Sequence, residues 1–187
     1  MRCFVAIELP DDVRACLADL QRQMAGLGRG VRWTRPESIH LTVKFLGEVP
    51  DAQVAEVCEA ARRIARKYPV FDLAVAGTGC FPPRGPARVI WAGIPQLPQP
   101  LIDCQRECED VYAGMGFEKE NRAYRPHLTV GRVNDPGLSN RIRETLRQFE
   151  HFSGGDFAAG ELVVFQSELR RGGSLYTPLA RAPLNGS

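Results

Sequence analysis

HLTVKFLG at residues 40–47 and HLTVGR at residues 127–132 share their first four letters. The chain has three histidines, and two of them head these copies. The copies stand nearly half of the 187 residues apart, which reads as an internal duplication. Both are rich in β-branched and apolar residues, so both are read as strands. Side chains alternate between the faces of a strand. His40, Thr42 and Lys44 then share one face, while Leu41, Val43 and Phe45 pack into the core. In the second copy His127 and Thr129 share a face, and Leu128 and Val130 point away. If the halves are related by an approximate two-fold, two His–Thr walls face each other across a cleft.

The flanking sequence supplies elements to each copy. Residues 3–10 (CFVAIELP) form an apolar strand ended by proline. In the helix that follows, Asp11 or Asp12 is the cap, Val13, Cys16, Leu17, Leu20 and Met24 recur at helical spacing, and Gly28 and Gly30 close it. Residues 51–68 read as a helix capped by Asp51, with Pro69 beyond its end. Residues 71–81 and 88–94 read as strands around the PPRGPA loop, and IPQLPQP (94–100) as a connector between two lobes. Helices follow at 101–117 and 138–149, with the polar loop EKENRAYRP (118–126) before the second copy. Residues 160–169 and 175–182 are strands joined by the turn RRGGS, and NGS at 185–187 is a frayed end.

Helices and strands thus mix throughout, and neighbouring strands join through short turns. This predicts an α+β fold of mostly antiparallel sheet rather than a doubly wound parallel one. The whole chain, 1–187, is read as one bilobal domain of two interleaved repeat halves, each pseudo-symmetric lobe carrying helices outside and the cleft lying between them.

The composition is 44% hydrophobic and 25% charged with a net charge of +2, which suits a soluble chain with a real core. That charge is too small for wrapping long nucleic acid, so any affinity for phosphate must come from a local cluster. No apolar run approaches the roughly 20 residues that span a bilayer, and the start lacks the plan of a secretory signal. A cytoplasmic protein without a membrane partner is expected, with monomer as the default state. The six cysteines contain no Cys-x-x-Cys pair and read as reduced, mostly buried thiols. Cys104 and Cys108 lie four apart on a helix but lack a second pair or a nearby histidine, so no metal and no cofactor are expected.

Two histidines and two threonines on opposing walls suit phosphoester chemistry. Imidazole titrates near neutrality, so one ring can be neutral and the other protonated. The neutral ring takes a proton from the attacking oxygen, and the protonated ring gives one to the leaving oxygen. Threonine hydroxyls donate to the non-bridging oxygens. Neither copy carries Asp or Glu on its His–Thr face, which disfavours a metal site. His151, beside Phe149 and Phe152 with no echo elsewhere, reads as structural.

HLTVKFLG and PHLTVGR resemble the paired His-x-Thr-x signatures of the 2H phosphoesterase superfamily. RCFVAIELP, YRPHLTVGR and VVFQSEL…LYTPLA extend the resemblance to the RNA 2′,3′-cyclic phosphodiesterases, also called 2′-5′ RNA ligases (the LigT group), over nearly the whole chain. The resemblance implies a bilobal α+β fold with a central cleft. It implies metal-independent hydrolysis of a 2′,3′-cyclic phosphate at an RNA end to a 2′-phosphate, and ATP-independent 2′-5′ joining as the reverse of such ring opening. His40 is then the general acid for the 3′ oxygen, His127 the general base on water, and Thr42 and Thr129 hold the phosphate. Arg132 matches the family's arginine five places after the second histidine. Strict alternation puts it on the wrong face, so Gly131 is expected to relax the strand or form a bulge. Trp33, Arg35, Arg122, Tyr124 and Arg125 flank the motifs as a candidate RNA-contacting rim, with Lys44 adding positive potential. Small cyclic nucleotides as substrates, or a non-catalytic nucleotide- or RNA-binding module of the same fold, are the alternatives.

Overall fold

The computed structural model describes residues 1–171 and 173–186. Gly172, in the expected 170–174 turn, and Ser187, the last residue of the expected frayed end, lie outside the described residues.

The elements run β1 (Arg2–Glu8), α1 (Asp11–Gln23), β2 (Val31–Trp33), β3 (His40–Glu48), α2 (Val54–Ala65), β4 (Phe71–Ala76) and β5 (Thr78–Phe81). They continue as β6 (Val89–Gly93), α3 (Gln99–Gly114), β7 (His127–Val133), α4 (Ser139–Arg147), β8 (Ser153–Ala159), β9 (Glu161–Arg170) and β10 (Gly173–Pro183). The α+β expectation is met, with every registered strand pair antiparallel. The main sheet is ordered β10-β9-β1-β3-β7-β6-β5, with β2 added to β7, and β4 pairs β8 in a separate ribbon.

The sequence β1-α1-β3-α2-β4-β5 recurs as β6-α3-β7-α4-β8-β9, leaving β2 and β10 outside the repeat. Strands cross between the copies: β9 pairs β1, and β5 pairs β6. At the junction Leu41 sits opposite Leu128, both fully buried, so the two walls are the two halves of one sheet.

The helices cover the apolar face of that sheet. In α2, Val57, Cys58, Ala60, Ala61, Ile64 and Ala65 form the buried stripe, while Val54, which the helical spacing also places on it, is half-buried. Each fully buried Leu, Ile or Val contributes on the order of 2 kcal/mol, so this core holds the two histidine strands in a fixed relation. Near the ends of α1 and α2 the structure departs from expectation. Pro10 precedes α1, and Asp11 and Asp12 lie in the first turn, where their charges favour the helix dipole without capping it. Asp51 begins a 3-10 turn, Asp51–Gln53, ahead of α2. Cys16, placed in the apolar stripe of α1, is exposed, whereas the other five thiols are buried.

The single strand expected over 71–81 divides at Gly77, whose φ of 73° turns the chain from one sheet to the other. Strand β8 was not expected, since SGGDFAA carries two glycines and an aspartate, all poor strand formers. Pairing with β4 and burial of Phe157 and Ala159 outweigh that local cost. Among the described residues, no helix is long and apolar enough to cross a membrane.

Candidate active site

Strands β3 and β7 carry the same irregularity. On β3, Thr42 faces Ala6 and Lys44 faces Val5, so Val43 is an extra residue without a partner. On β7, Thr129 faces Trp91 and Gly131 faces Ile90, so Val130 is extra in the same way. A bulge of one residue shifts the alternation by one. Before it, His40 and Thr42, and likewise His127 and Thr129, look into the cleft. After it, position five of each copy returns to the core, and position six to the cleft face.

Arg132 is therefore turned onto the face of His127, as the expected bulge requires, with Val130 as the inserted residue and Gly131 just beyond it. For the first copy the same shift overturns two expectations. Lys44 is not on the His40 face: it is 3% exposed and gives its ammonium protons to Glu109 Oε2 at 2.7 Å and the Glu118 carbonyl oxygen at 2.5 Å. Phe45 is not in the core: it is 69% exposed and lines the cleft. Alternation along β3 is broken at Val43, which reverses the faces of both.

Leu41 opposite Leu128 fixes the rest. Continuing that antiparallel register sets His40 beside Thr129 and Thr42 beside His127, all four on one face. They line a single cavity of about 550 Å³ together with Phe45 and Arg132. Arg2, Arg32 and Arg35 also line it, and among the described residues no Asp or Glu does.

Both imidazoles are oriented by the same device. Nδ1 of His40 lies 2.8 Å from the Ser38 carbonyl oxygen, and Nδ1 of His127 lies 2.7 Å from that of Arg125. A carbonyl oxygen only accepts, so Nδ1 carries the proton in each ring and Nε2 is left for the cavity. In both copies the acceptor is two residues upstream. Surroundings differ. His40 stacks on Phe4 at 4.7 Å between ring centres and meets the edge of Tyr176 at 5.1 Å. Burial pushes its pKa down to about 4; the Ser38 hydrogen bond opposes this, and the nearby His127 and Arg132 add to it. His127 meets Phe81 edge-on at 4.9 Å.

The candidate rim divides. Trp33 and Arg35 line the cavity. Arg122 instead pairs with Glu120 on its own loop at 2.7 Å. Tyr124 is turned inward, its hydroxyl donating to the Thr42 carbonyl at 2.9 Å. Arg125 serves through its main chain, holding His127 while its side chain stays off the cavity wall. Among the described residues no three His, Cys, Asp or Glu side chains gather as a metal cluster would. His151 is exposed beside Glu150.

A family model described as LigT like Phosphoesterase matches residues 7–91 and again 93–176, one block around each histidine strand. The chain belongs to the LigT-like phosphoesterase family. The RNA 2′,3′-cyclic phosphodiesterase of Methanothermobacter thermautotrophicus is 31% identical over 179 residues, covering 96% of each chain. That of Thermus thermophilus is 31% identical, covering 100% of this chain and 91% of its own. Among solved structures, TT0787 of Thermus thermophilus matches with a TM-score of 0.86 at 26% identity over 100% of both chains. E. coli LigT complexed with 3′-AMP matches at 0.76 and 29% identity, covering 98% of this chain and 97% of that one.

In this LigT-like phosphoesterase the aromatic wall of His40, made by Phe4, Phe165 and Tyr176, escaped the motif reading. Its signal was present in CFVAIELP, where apolar residues occupy both faces of β1. On the face away from the main core, Phe4 and Ala6 of β1 cluster with Val163 and Phe165 of the neighbouring β9, with Tyr176 packed against them.

Proposed function

We propose that this chain hydrolyses 2′,3′-cyclic phosphate at RNA ends to a 2′-phosphate, using His40 and His127 as its acid–base pair. The observation that carries the reading is the matched pair of Nδ1-to-carbonyl bonds, which leaves both Nε2 atoms to one cavity with Thr42 and Thr129 between them. His127 takes a proton from water as its oxygen bonds to phosphorus. The bond from phosphorus to the 3′ oxygen breaks, and His40 gives that oxygen its proton. The hydroxyls of Thr42 and Thr129 and the guanidinium of Arg132 hold the non-bridging oxygens as charge builds there.

Burial keeps His40 neutral in the free enzyme. A bound phosphodiester anion acts in the other direction and favours the imidazolium. The acid is thus loaded by the substrate it serves. A 5′-hydroxyl in the place of water gives a 2′-5′ linkage through the same two groups, with no need of ATP.

Mass analysis of products from an RNA ending in 2′,3′-cyclic phosphate tests the reading. The expected product is the 2′-phosphate, formed equally well with chelator present, and His40→Ala and His127→Ala each lose orders of magnitude in rate. A 3′-phosphate product, or two variants as active as the parent, overturns it.

A further inference from the structure

Strands β2 and β7 place Arg32 opposite Arg132. Opposed residues of an antiparallel pair project from the same face a few ångströms apart, and like charges there repel. Both arginines are exposed, and both line the cavity. Among the described residues neither has an ion pair or side-chain hydrogen bond. The cavity wall, as far as it is described, offers no carboxylate to separate them.

The repeat itself does not call for this pair. Strand β2 lies outside it, and the equivalent of Arg132 in the first copy is Phe45. Of the four arginines that line the cavity, Arg32 and Arg132 stand on the paired strands β2 and β7, Arg35 follows β2, and Arg2 stands on β1 beside β3. A cyclic mononucleotide with a free 5′-hydroxyl brings one negative charge, which Arg132 and the threonines receive beside the histidines. Arg32 stands one strand further out and is left without an anion.

We propose that Arg32 binds the phosphodiester one nucleotide before the terminal cyclic phosphate, which makes the substrate an RNA oligonucleotide end rather than a mononucleotide. The proposal rests on the phosphodiesterase reading. It adds a second phosphate subsite, built on the strand that the repeat does not supply. Guanidinium suits the task, since it stays charged and pairs with two phosphate oxygens at once.

The test compares kcat/KM for a mononucleotide 2′,3′-cyclic phosphate with that for a dinucleotide and a hexanucleotide bearing the same end. For the wild type the dinucleotide value is expected to exceed the mononucleotide value by tenfold or more, with little added by the hexanucleotide. In Arg32→Ala the dinucleotide-to-mononucleotide ratio falls about tenfold through KM, and the salt dependence of dinucleotide binding weakens by about one phosphate contact. Because the substitution removes a repulsion, its Tm stays level or rises; a clear fall marks a structural arginine and overturns the proposal. Equal loss on both substrates, or a wild type that does not distinguish them, also overturns it. Calorimetric binding of the dinucleotide and mononucleotide 2′-phosphates by both proteins gives the same comparison without turnover. Failure of hydrolysis on every substrate would then defeat the phosphodiesterase reading while leaving the subsite decided by binding.

Discussion

His40 and His127 each hold a backbone carbonyl two residues upstream through Nδ1, yet His40 lies against Phe4 and Tyr176 while His127 meets the edge of Phe81. Equal orientation in unlike surroundings is how one fold gives two like groups unlike tasks. In the free protein, His40 titrates at about 4. NMR titration of the His40 ring is expected to show this low midpoint, and saturation with inorganic phosphate is expected to raise it. In kinetics the His40 limb then lies at lower pH in kcat/KM, which reports the free enzyme, than in kcat, which reports the complex.

The same shift links stability to pH. The His40 pKa in the folded state lies below its ordinary value of 6.5, so between the two the unfolded chain binds more protons. Stability is complete above about pH 6.5 and falls as pH drops toward 4, by about 3 kcal/mol in all. Denaturant unfolding at pH 7.5 and pH 4.5 should show His40→Gln losing less than the wild type over this interval, by about 2 kcal/mol.

Gly131 holds its place for space rather than for backbone freedom. A Cβ there would sit 3.0 Å from Cε3 of Trp33 and 3.1 Å from Cγ1 of Val31. Both neighbours belong to β2, which pairs with this stretch of β7. Gly131→Ala is expected to cost about 1–2 kcal/mol by overpacking and to shift the indole fluorescence of Trp33. Binding of anions suffers with it, because β2 also carries Arg32.

Much of this was legible in the sequence. The repeated tetrapeptide located both histidine strands and the face that each His shares with its Thr, and the mixing of helices with turn-linked strands pointed to the α+β class, because those follow from period and composition. What escaped was set by contacts distant in sequence. A strand cannot announce a bulge that its partner imposes, so simple alternation puts Lys44 and Phe45 on each other's faces. Arg132 was rescued only because a glycine preceded it. The inward turn of Tyr124 and the orientation of His127 by the Arg125 carbonyl rest on a loop that propensity leaves unspecified. Strand β8 depends on its partner β4 more than on its own residues.

Lys44 and Glu109 make the sharpest case, because their pair is buried on both sides, at 2% and 8% side-chain exposure. Glu109 Oε2 accepts the Lys44 ammonium and also the Glu120 amide at 3.0 Å, and Lys44 donates to the Glu118 carbonyl. The first histidine strand thereby anchors the loop that runs into the second. Lys44→Met leaves a buried carboxylate without its cation, at a cost of about 3–5 kcal/mol. Replacing both partners, Lys44→Met with Glu109→Leu, removes the stranded charge and is expected to regain most of that loss. Hydrogen exchange separates the two roles of the pair. In both variants the Glu120 amide, deprived of its acceptor or of the cation that fixes it, should exchange faster than in the wild type. Recovered stability with continued fast exchange means that the pair's contribution is to hold the 118–126 loop, while slow exchange in the double variant would show the loop to be held without it.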